Sequence, residues 1–336
     1  SEKLFKRKWK ISREIFDANA GEEGGDEPGE PGTPDTPVVP DEPEEDGLEI
    51  MKVKDGKDSI VVFVHDDGDL STATFLKDEF IENDLKGTVG LILNKINDSN
   101  KATWQELFDT GVLNAESHSM THTYAGQDNT KDETAMVNGV ETFIPAGKMK
   151  TEIADSKTAL KELFPNQNPL VYIRPGVGTI TDLQGNTIIA TSANAIEMMK
   201  ENYIAARVTG RTAYTKEGVD TIPPTDYYAM YSIMPGSETT AEEIMESVDE
   251  AVEKNGILVF CFHGISDTIA NSLTTRKSEA DEVFTKVGEY VAENKVWNPF
   301  YSDAVKYMKE TETAKATMET TGDAIEVTVT DELDNE

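Results

Sequence analysis

Read for hydrophobic and polar positions alone, the chain resolves into short apolar runs separated by amphipathic stretches. The runs lie at 59–67 (SIVVFVHDD), 87–96 (GTVGLILNKI), 112–119 (VLNAESHS), 169–175 (PLVYIRP), 204–209 (IAARVT), 227–234 (YYAMYSIM) and 257–264 (ILVFCFHG). Most are rich in β-branched and aromatic residues, as buried strands are. Between most of them lie segments such as TATFLKDEFIEND, KMKTEIADSKTALKELF, TSANAIEMMKENY and TAEEIMESVDEAVEKN. Their apolar residues recur at three- and four-residue spacing, which predicts helices. Strands alternating with helices predict an α/β fold on a parallel sheet. Seven or so such units within residues 48–310 predict a distorted (β/α) barrel of about seven strands. The competing doubly wound open sheet lacks support, because no GxGxxG turn follows the first strand.

Charge changes the picture at both ends of this unit. The 336 residues carry 64 acids against 31 bases, a net charge of −33. Residues 17–47 hold 12 acids, no base, 6 prolines and 6 glycines. Such a stretch cannot bury enough apolar surface to offset its ordering entropy, so it reads as a disordered acidic Pro/Gly linker. Residues 1–16 are basic, with Leu4, Phe5, Trp9, Ile11 and Ile15 interleaved. Too short to fold alone, they read either as a frayed terminus or as a docking or anchoring peptide for a protein partner. Residues 311–336 form an acidic extension in which Ile325, Val327 and Val329 alternate with other residues, predicting one strand. That strand either joins the barrel or begins a further β-module.

The barrel segment itself is acidic, with 42 acids against 24 bases. Nucleic acids and anionic membrane surfaces would repel it, so neither is expected as a partner. No run of 18 apolar residues exists to span a membrane. The basic start is not followed by an apolar stretch, so no signal peptide is read there. A single cysteine, Cys261, excludes an intrachain disulfide framework and a Cys-built zinc site; it reads as a core residue.

The chemistry-bearing residues cluster. All four histidines, His65, His118, His122 and His263, fall in or just after the ends of predicted strands, the face on which (β/α) barrels build active sites. Asp66, Asp67 and Asp69 surround Gly68 at the end of the first run. They read either as a solvated acidic turn or as one carboxylate on a metal beside a general base. His118 and His122 stand four apart, a spacing that on a helix or tight turn brings both rings to one ion. With the Asp pair they make a two-His-one-carboxylate set with open positions. Arg174, followed by Pro175 and Gly176, is either a surface ion-pair partner at a turn or a fixed cation for a catalytic carboxylate. His263 is either a satisfied core histidine or a residue delivered to the site by its strand.

In this order, HDDG, H-S-x-x-H, the Arg-Pro strand end and the late F-H-G resemble the NodB-type polysaccharide deacetylases, carbohydrate esterases built on a distorted (β/α) barrel. The resemblance spans roughly residues 58–310 and extends to TWQELFDTGVLNAESHSMTH and VWNPFYSDAVKYMKE. It implies that Asp67, His118 and His122 bind one divalent ion, zinc first and cobalt, nickel or manganese as alternatives. It implies Asp66 as general base, Arg174 as the residue orienting it, and His263 as the acid for the leaving group. A backbone N–H at Val177 would share the oxyanion, with Pro175 and Gly176 shaping the substrate side.

Four features depart from the family pattern. His65 stands where an aromatic is usual and is either a spare ligand or a substitute. The Arg motif continues Pro175-Gly176-Val177 rather than Pro-Pro-Tyr, so an aromatic sugar platform must come from elsewhere or be missing. No Asp-x-x-Asp-Trp motif is found, leaving Asp226 and Asp249 as candidates to tune His263. A long insert covers residues 121–148. The expected function is removal of N- or O-acetyl groups from an acetylated polysaccharide; the alternative is a glycan-binding or adhesion module on the same barrel. Such substrates place the protein outside cells or at their surface, as a virion-associated chain or a processed mature form.

Overall fold

The protein is described here by a computed structural model that covers residues 5–12, 50–208, 218–321 and 324–331. The expected linker, 17–47, lies outside the described residues. In chain order the first strand is β1 (Phe5–Ser12), followed by β2 (Ser59–His65), α1 (Leu70–Glu82), β3 (Gly87–Leu91), α2 (Lys101–Asp109) and β4 (Leu113–Ser117). A hairpin of β5 (Glu133–Val137) and β6 (Val140–Ile144) precedes α3 (Ser156–Leu163), β7 (Val171–Ile173), β8 (Ile180–Thr181), α4 (Ala193–Asn202), β9 (Ala205–Arg207) and β10 (Val219–Asp220). Then come α5 (Ala241–Lys254), β11 (Ile257–Phe262), α6 (Lys277–Ala292), β12 (Val296–Trp297), α7 (Tyr301–Thr313), β13 (Lys315–Thr321) and β14 (Ala324–Asp331).

Six strands pair in parallel in the order β11-β2-β3-β4-β7-β9. The run at 227–234 makes two isolated parallel bridges rather than a regular strand. Met230 pairs with Arg207 on β9, and Ile233 pairs with Phe260 on β11. Val208 N–H donates to Met230 O at 3.0 Å, and Ile233 N–H donates to Val259 O at 2.8 Å. This segment is the seventh member and joins the two ends of the sheet, giving the distorted barrel that the alternation of strands and helices predicts.

Because β-strand side chains alternate, each strand feeds two cores. Ile60, Val62, Val64, Val171, Ile173, Ala205, Ile257 and Val259 fill the lumen, and Tyr301, Ala304, Val305 and Met308 of α7 pack against them. Since β12 pairs with the first residues of β2, α7 closes the end at which the strands begin and leaves the opposite end open. Outward residues, among them Val61, Phe63, Leu91, Phe260 and Phe262, bury against the helices. Phe284 of α6 is central to that layer, its ring edge-on to Phe63 and to Phe80, both at 5.1 Å.

Strands β6, β5 and β8 form a small antiparallel sheet, and β1, β14 and β13 form a three-stranded antiparallel sheet in a unit of their own, in the order β1-β14-β13. Trp9 is opposite Val327, which is also opposite Met318. The basic segment 1–16 thus contributes β1 to this sheet, and the alternating Ile325-Val327-Val329 stretch is β14.

Phe284→Ala removes a ring packed against Phe63, Phe75, Phe80 and Phe262 and is expected to destabilise the barrel by about 3–5 kcal/mol. Urea unfolding followed by circular dichroism should show a lowered midpoint with an unchanged slope.

Candidate active site

Strand parity sets the site at the open end. On β2 the inward residues end at Asp66, which is fully buried. The chain then turns through two consecutive left-handed residues, Asp67 (φ 67°) and Gly68 (φ 64°). For aspartate this conformation costs free energy that the surrounding packing must supply. Asp69 then caps α1, its carboxylate accepting the Thr72 N–H at 2.9 Å. His65, on the outward face, fastens this turn: its Nε2 accepts the Asp69 N–H at 3.0 Å, and Nδ1 lies 3.4 Å from Phe262 O. Both ring nitrogens are therefore engaged, Nε2 by the turn and Nδ1 by β11, and burial lowers the pKa of His65. This corrects the reading of His65 as a spare metal ligand.

His118 follows β4 and is fully buried. Its Nδ1 lies 2.8 Å from the Ile173 carbonyl, so Nδ1 carries the proton and Nε2 carries a lone pair. Room for the ring exists because residue 90 is glycine; a Cβ there would stand 3.3 Å from the His118 Cβ. A turn, not a helix, brings in His122. Ser119 (φ 67°) and His122 (φ 57°) are both left-handed, and the His122 N–H donates to Ser119 Oγ at 2.8 Å. The turn is tied down by Glu152, a buried carboxylate that accepts the Thr121 N–H at 2.8 Å and the Thr121 hydroxyl at 2.6 Å. Lys148 neutralises that carboxylate at 2.5 Å.

Asp67 Oδ1 lies 3.4 Å from His118 Nε2 and 3.3 Å from His122 Nε2. Asp67 Oδ1 and His118 Nε2 are both buried without a hydrogen-bond partner. Two lone pairs facing one another repel, and a cation between them removes the conflict. Ligands at the 2.0–2.1 Å of a tetrahedral zinc would sit about 3.3–3.4 Å apart, the separation found here. These three residues therefore fit a divalent ion. Burial would raise the Asp67 pKa, but the adjacent His118 ring, then His122 and His263, more than offset this, and the carboxyl stays ionised well below its usual range. Burial, and then the neighbouring His118, lowers the His122 pKa and favours the neutral, ligating form.

Asp66 faces the lumen beside this set. Its Oδ2 accepts from Arg207 Nη2 at 2.6 Å and from the Cys261 thiol at 3.3 Å, while Oδ1 is buried without a partner. Burial alone would raise its pKa; Arg207, followed by His118 and His263, brings it down to about 2. Arg207 itself is fully buried; burial depresses its pKa, but Asp66 more than restores it. The cation on Asp66 is therefore Arg207 and not Arg174, a correction with a simple cause. Val171 and Ile173 of β7 face the lumen, whereas Tyr172 belongs to the outer cluster, and Arg174 shares the outward parity of Tyr172. Its Nη2 instead bonds Thr191 Oγ1. On β9 the parity runs the other way: Ala205 lines the lumen, and so does Arg207 two residues on. An arginine inside the apolar run IAARV was the available signal, and neither reading of Arg174 drew on it.

His263, just beyond β11, groups with Asp66 and Cys261. Arg207 already places a positive charge on Asp66, and burial raises the Cys261 pKa strongly, so this trio is a hydrogen-bonded cluster rather than a second ion cage. Burial lowers the His263 pKa, while Asp66 and then Asp67 oppose that shift. Neither Asp226 nor Asp249 takes the role considered for it. Asp249 accepts the Tyr290 hydroxyl at 2.7 Å, and Asp226 accepts the Tyr228 N–H at 2.8 Å and acts electrostatically on Arg174.

Two cavities flank the metal-binding set. One of about 690 Å³ is lined by His122, Phe143, Lys148, Gly176 and Val177 among others. The other, of about 290 Å³, is lined by Asp67, Leu91, Lys95 and Trp104 among others. Pro175 stands beside the first, next to Arg174 and Val177.

Residues 53–195 match the polysaccharide deacetylase family model. Among solved structures, the chain is similar to the Xyl-CE4 domain of a multidomain xylanase from the hindgut metagenome of Trinervitermes trinervoides (13% identity, TM-score 0.44, covering 74% of this chain and 90% of that one). It is also similar to a family 4 acetyl xylan esterase from Clostridium thermocellum in complex with a cobalt ion (15%, TM-score 0.43, 74% and 90%). A third similar structure is a mutant of BA3943, a CE4 family pseudoenzyme (10%, TM-score 0.43, 74% and 67%). No curated protein sequence matches.

Arg207→Ala leaves the Asp66 charge buried and unpaired, and should cost about 3–5 kcal/mol at neutral pH. The folded-state pKa of Asp66 lies below its unfolded value, so its contribution is complete above about pH 4 and is lost as pH falls toward 2. Without Arg207, burial raises the Asp66 pKa, so in thermal melts of metal-free protein the gap between wild type and variant should begin to narrow above about pH 4 and go on narrowing as pH falls toward about 2. Arg174→Ala should cost less than about 1 kcal/mol and show no such narrowing.

Proposed function

We propose that this chain, whose residues 53–195 match the polysaccharide deacetylase family model, is a metal-dependent hydrolase that removes acetyl groups from a polysaccharide outside the cell or at its surface. The observation that carries this reading is the unpaired, buried Asp67 Oδ1 and His118 Nε2 beside a carboxylate held ionised by Arg207.

Asp67, His118 and His122 would hold one divalent ion, zinc suiting the two-nitrogen, one-oxygen set best. Bound there, the ion would supply Lewis acidity to the acetyl carbonyl and to the attacking water. Asp66 takes the proton of that water on Oδ1, the oxygen left free by Arg207 and Cys261. Its low pKa keeps it ionised at any working pH. Arg207 fixes which carboxylate oxygen faces the reaction. His263, grouped with Asp66 and Cys261, gives its proton to the departing amine or alkoxide and regains one from the proton that Asp66 took up. The Val177 N–H shares the developing oxyanion, and Pro175 and Gly176 hold that loop against the larger cavity.

The glycan-binding alternative drew strength from the altered Arg174 motif. That motif lacks an aromatic sugar platform, and the Asp-x-x-Asp-Trp motif is missing; the Asp66–Arg207 pair beside the Asp67, His118 and His122 set is what favours a hydrolase over a pure binding module.

Elemental analysis of purified protein should find about one divalent ion per chain, lost in His118→Ala. Asp66→Asn should retain the ion yet release acetate from acetylated glycans at least about 10²-fold more slowly than wild type. Full acetate release after complete chelation would count against a metal-dependent mechanism.

A further inference from the structure

The long insert and the altered Arg-Pro-Gly loop are two halves of one feature. Strands β5 and β6 meet at Asn138-Gly139, both left-handed (φ 52° and 78°), as a tight two-residue hairpin turn requires. That turn sits on the loop that follows Arg174. The Asn138 N–H donates to Thr179 O at 2.8 Å, and the Thr179 N–H donates to Asn138 Oδ1 at 2.9 Å. Gly178 lies beneath: it is left-handed at φ 73°, and a Cβ on it would stand 2.1 Å from Asn138 Oδ1. A side chain at this position would displace the Asn138 amide and strain the left-handed backbone. A two-stranded hairpin is marginal by itself, and this one is rooted by Ala135 and Ile144, buried against Tyr124 and Ile180 with Val177 packed alongside.

What the anchored hairpin adds to the site is a wall. Phe143 lines the 690 Å³ cavity that also borders His122, yet it remains 64% exposed. A lone exposed aromatic needs no explanation; one held on a braced wall beside a reaction centre does. Among the described residues lining this cavity none is acidic, although the chain carries 64 acids. The lining is apolar, hydroxyl and amide in character, with Lys148 committed to Glu152. A neutral ring with apolar C–H faces and hydroxyl edges fits such a surface better than a charged ligand.

Resting on the deacetylase reading above, we propose that hairpin β5–β6 is the specificity wall of this site. Phe143 stacks on the sugar unit next to the one that bears the acetyl group, so the substrate is an oligomer of uncharged sugars, read over at least two units.

The test compares kcat/KM of the zinc-loaded protein on tetrasaccharides of N-acetylglucosamine and of acetylated xylose with that on 4-nitrophenyl acetate, which has no second unit. Phe143→Ala should lower the ratio of tetrasaccharide to small-ester kcat/KM about tenfold, chiefly through KM, and Phe143→Trp should restore it. A ratio unchanged by Phe143→Ala overturns the proposal. If wild type hydrolyses none of the probes, the deacetylase reading fails while the wall remains testable by calorimetry. Tetrasaccharide binding weakened about tenfold by Phe143→Ala then supports it. Equal affinity, or no binding of either tetrasaccharide to wild type, overturns it.

Discussion

The buried ion pair between Asp66 and Arg207 is the interaction on which the rest of the site depends. Both side chains are wholly out of water, with Nη2 and Oδ2 2.6 Å apart. Removing two charges from water costs several kcal/mol each, and only close geometry with further hydrogen bonds offsets it. Here Cys261 adds a donor to the same oxygen. One carboxylate oxygen is thereby saturated and the other left bare, which makes a symmetric anion directional. An apolar lumen of valine and isoleucine below the pair keeps the local dielectric low and the interaction strong.

The conflicts of the structure concentrate at the open end of the barrel. Asp66 Oδ1, Asp67 Oδ1, His118 Nε2 and Arg207 Nε are all buried without hydrogen-bond partners. Three of the left-handed non-glycine residues, Asp67, Ser119 and His122, lie in the two turns that form the metal-binding set. Unpaired polar atoms and strained backbone persist only where surrounding packing over-determines them. The aromatic layer around Phe63, Phe80 and Phe284 on one side, and the plug of α7 on the other, supply that constraint. Glu152 does the same locally for the turn carrying His122, from the wider helical turn Thr151–Asp155.

Much of the fold was legible because local periodicity writes it. Apolar runs of strand length, separated by three- and four-spaced helices, require parallel pairing whatever the details. The motif residues were legible for a similar reason: Asp66, Asp67, His118, His122 and His263 each sit at a strand end, and strand ends of such barrels converge. The exchange of Arg174 for Arg207 was not legible. In LVYIRP both faces of the strand are apolar, because both are buried, so alternation does not reveal which face is the lumen. Asp66 and Arg207 are 141 residues apart, and only the register of the intervening strands decides that they meet.

The same division holds elsewhere in the molecule. By itself the sequence determined the α/β alternation, the acidic flanks and the set of groups able to hold a metal and move a proton, since these follow from composition and short-range spacing. Tertiary structure alone decided that 227–234 closes the ring through two bridges, that Gly178 receives the Asn138 turn, and which arginine charges the base. Each of those is a contact between distant segments whose side-chain direction depends on sheet register, a property no local pattern carries.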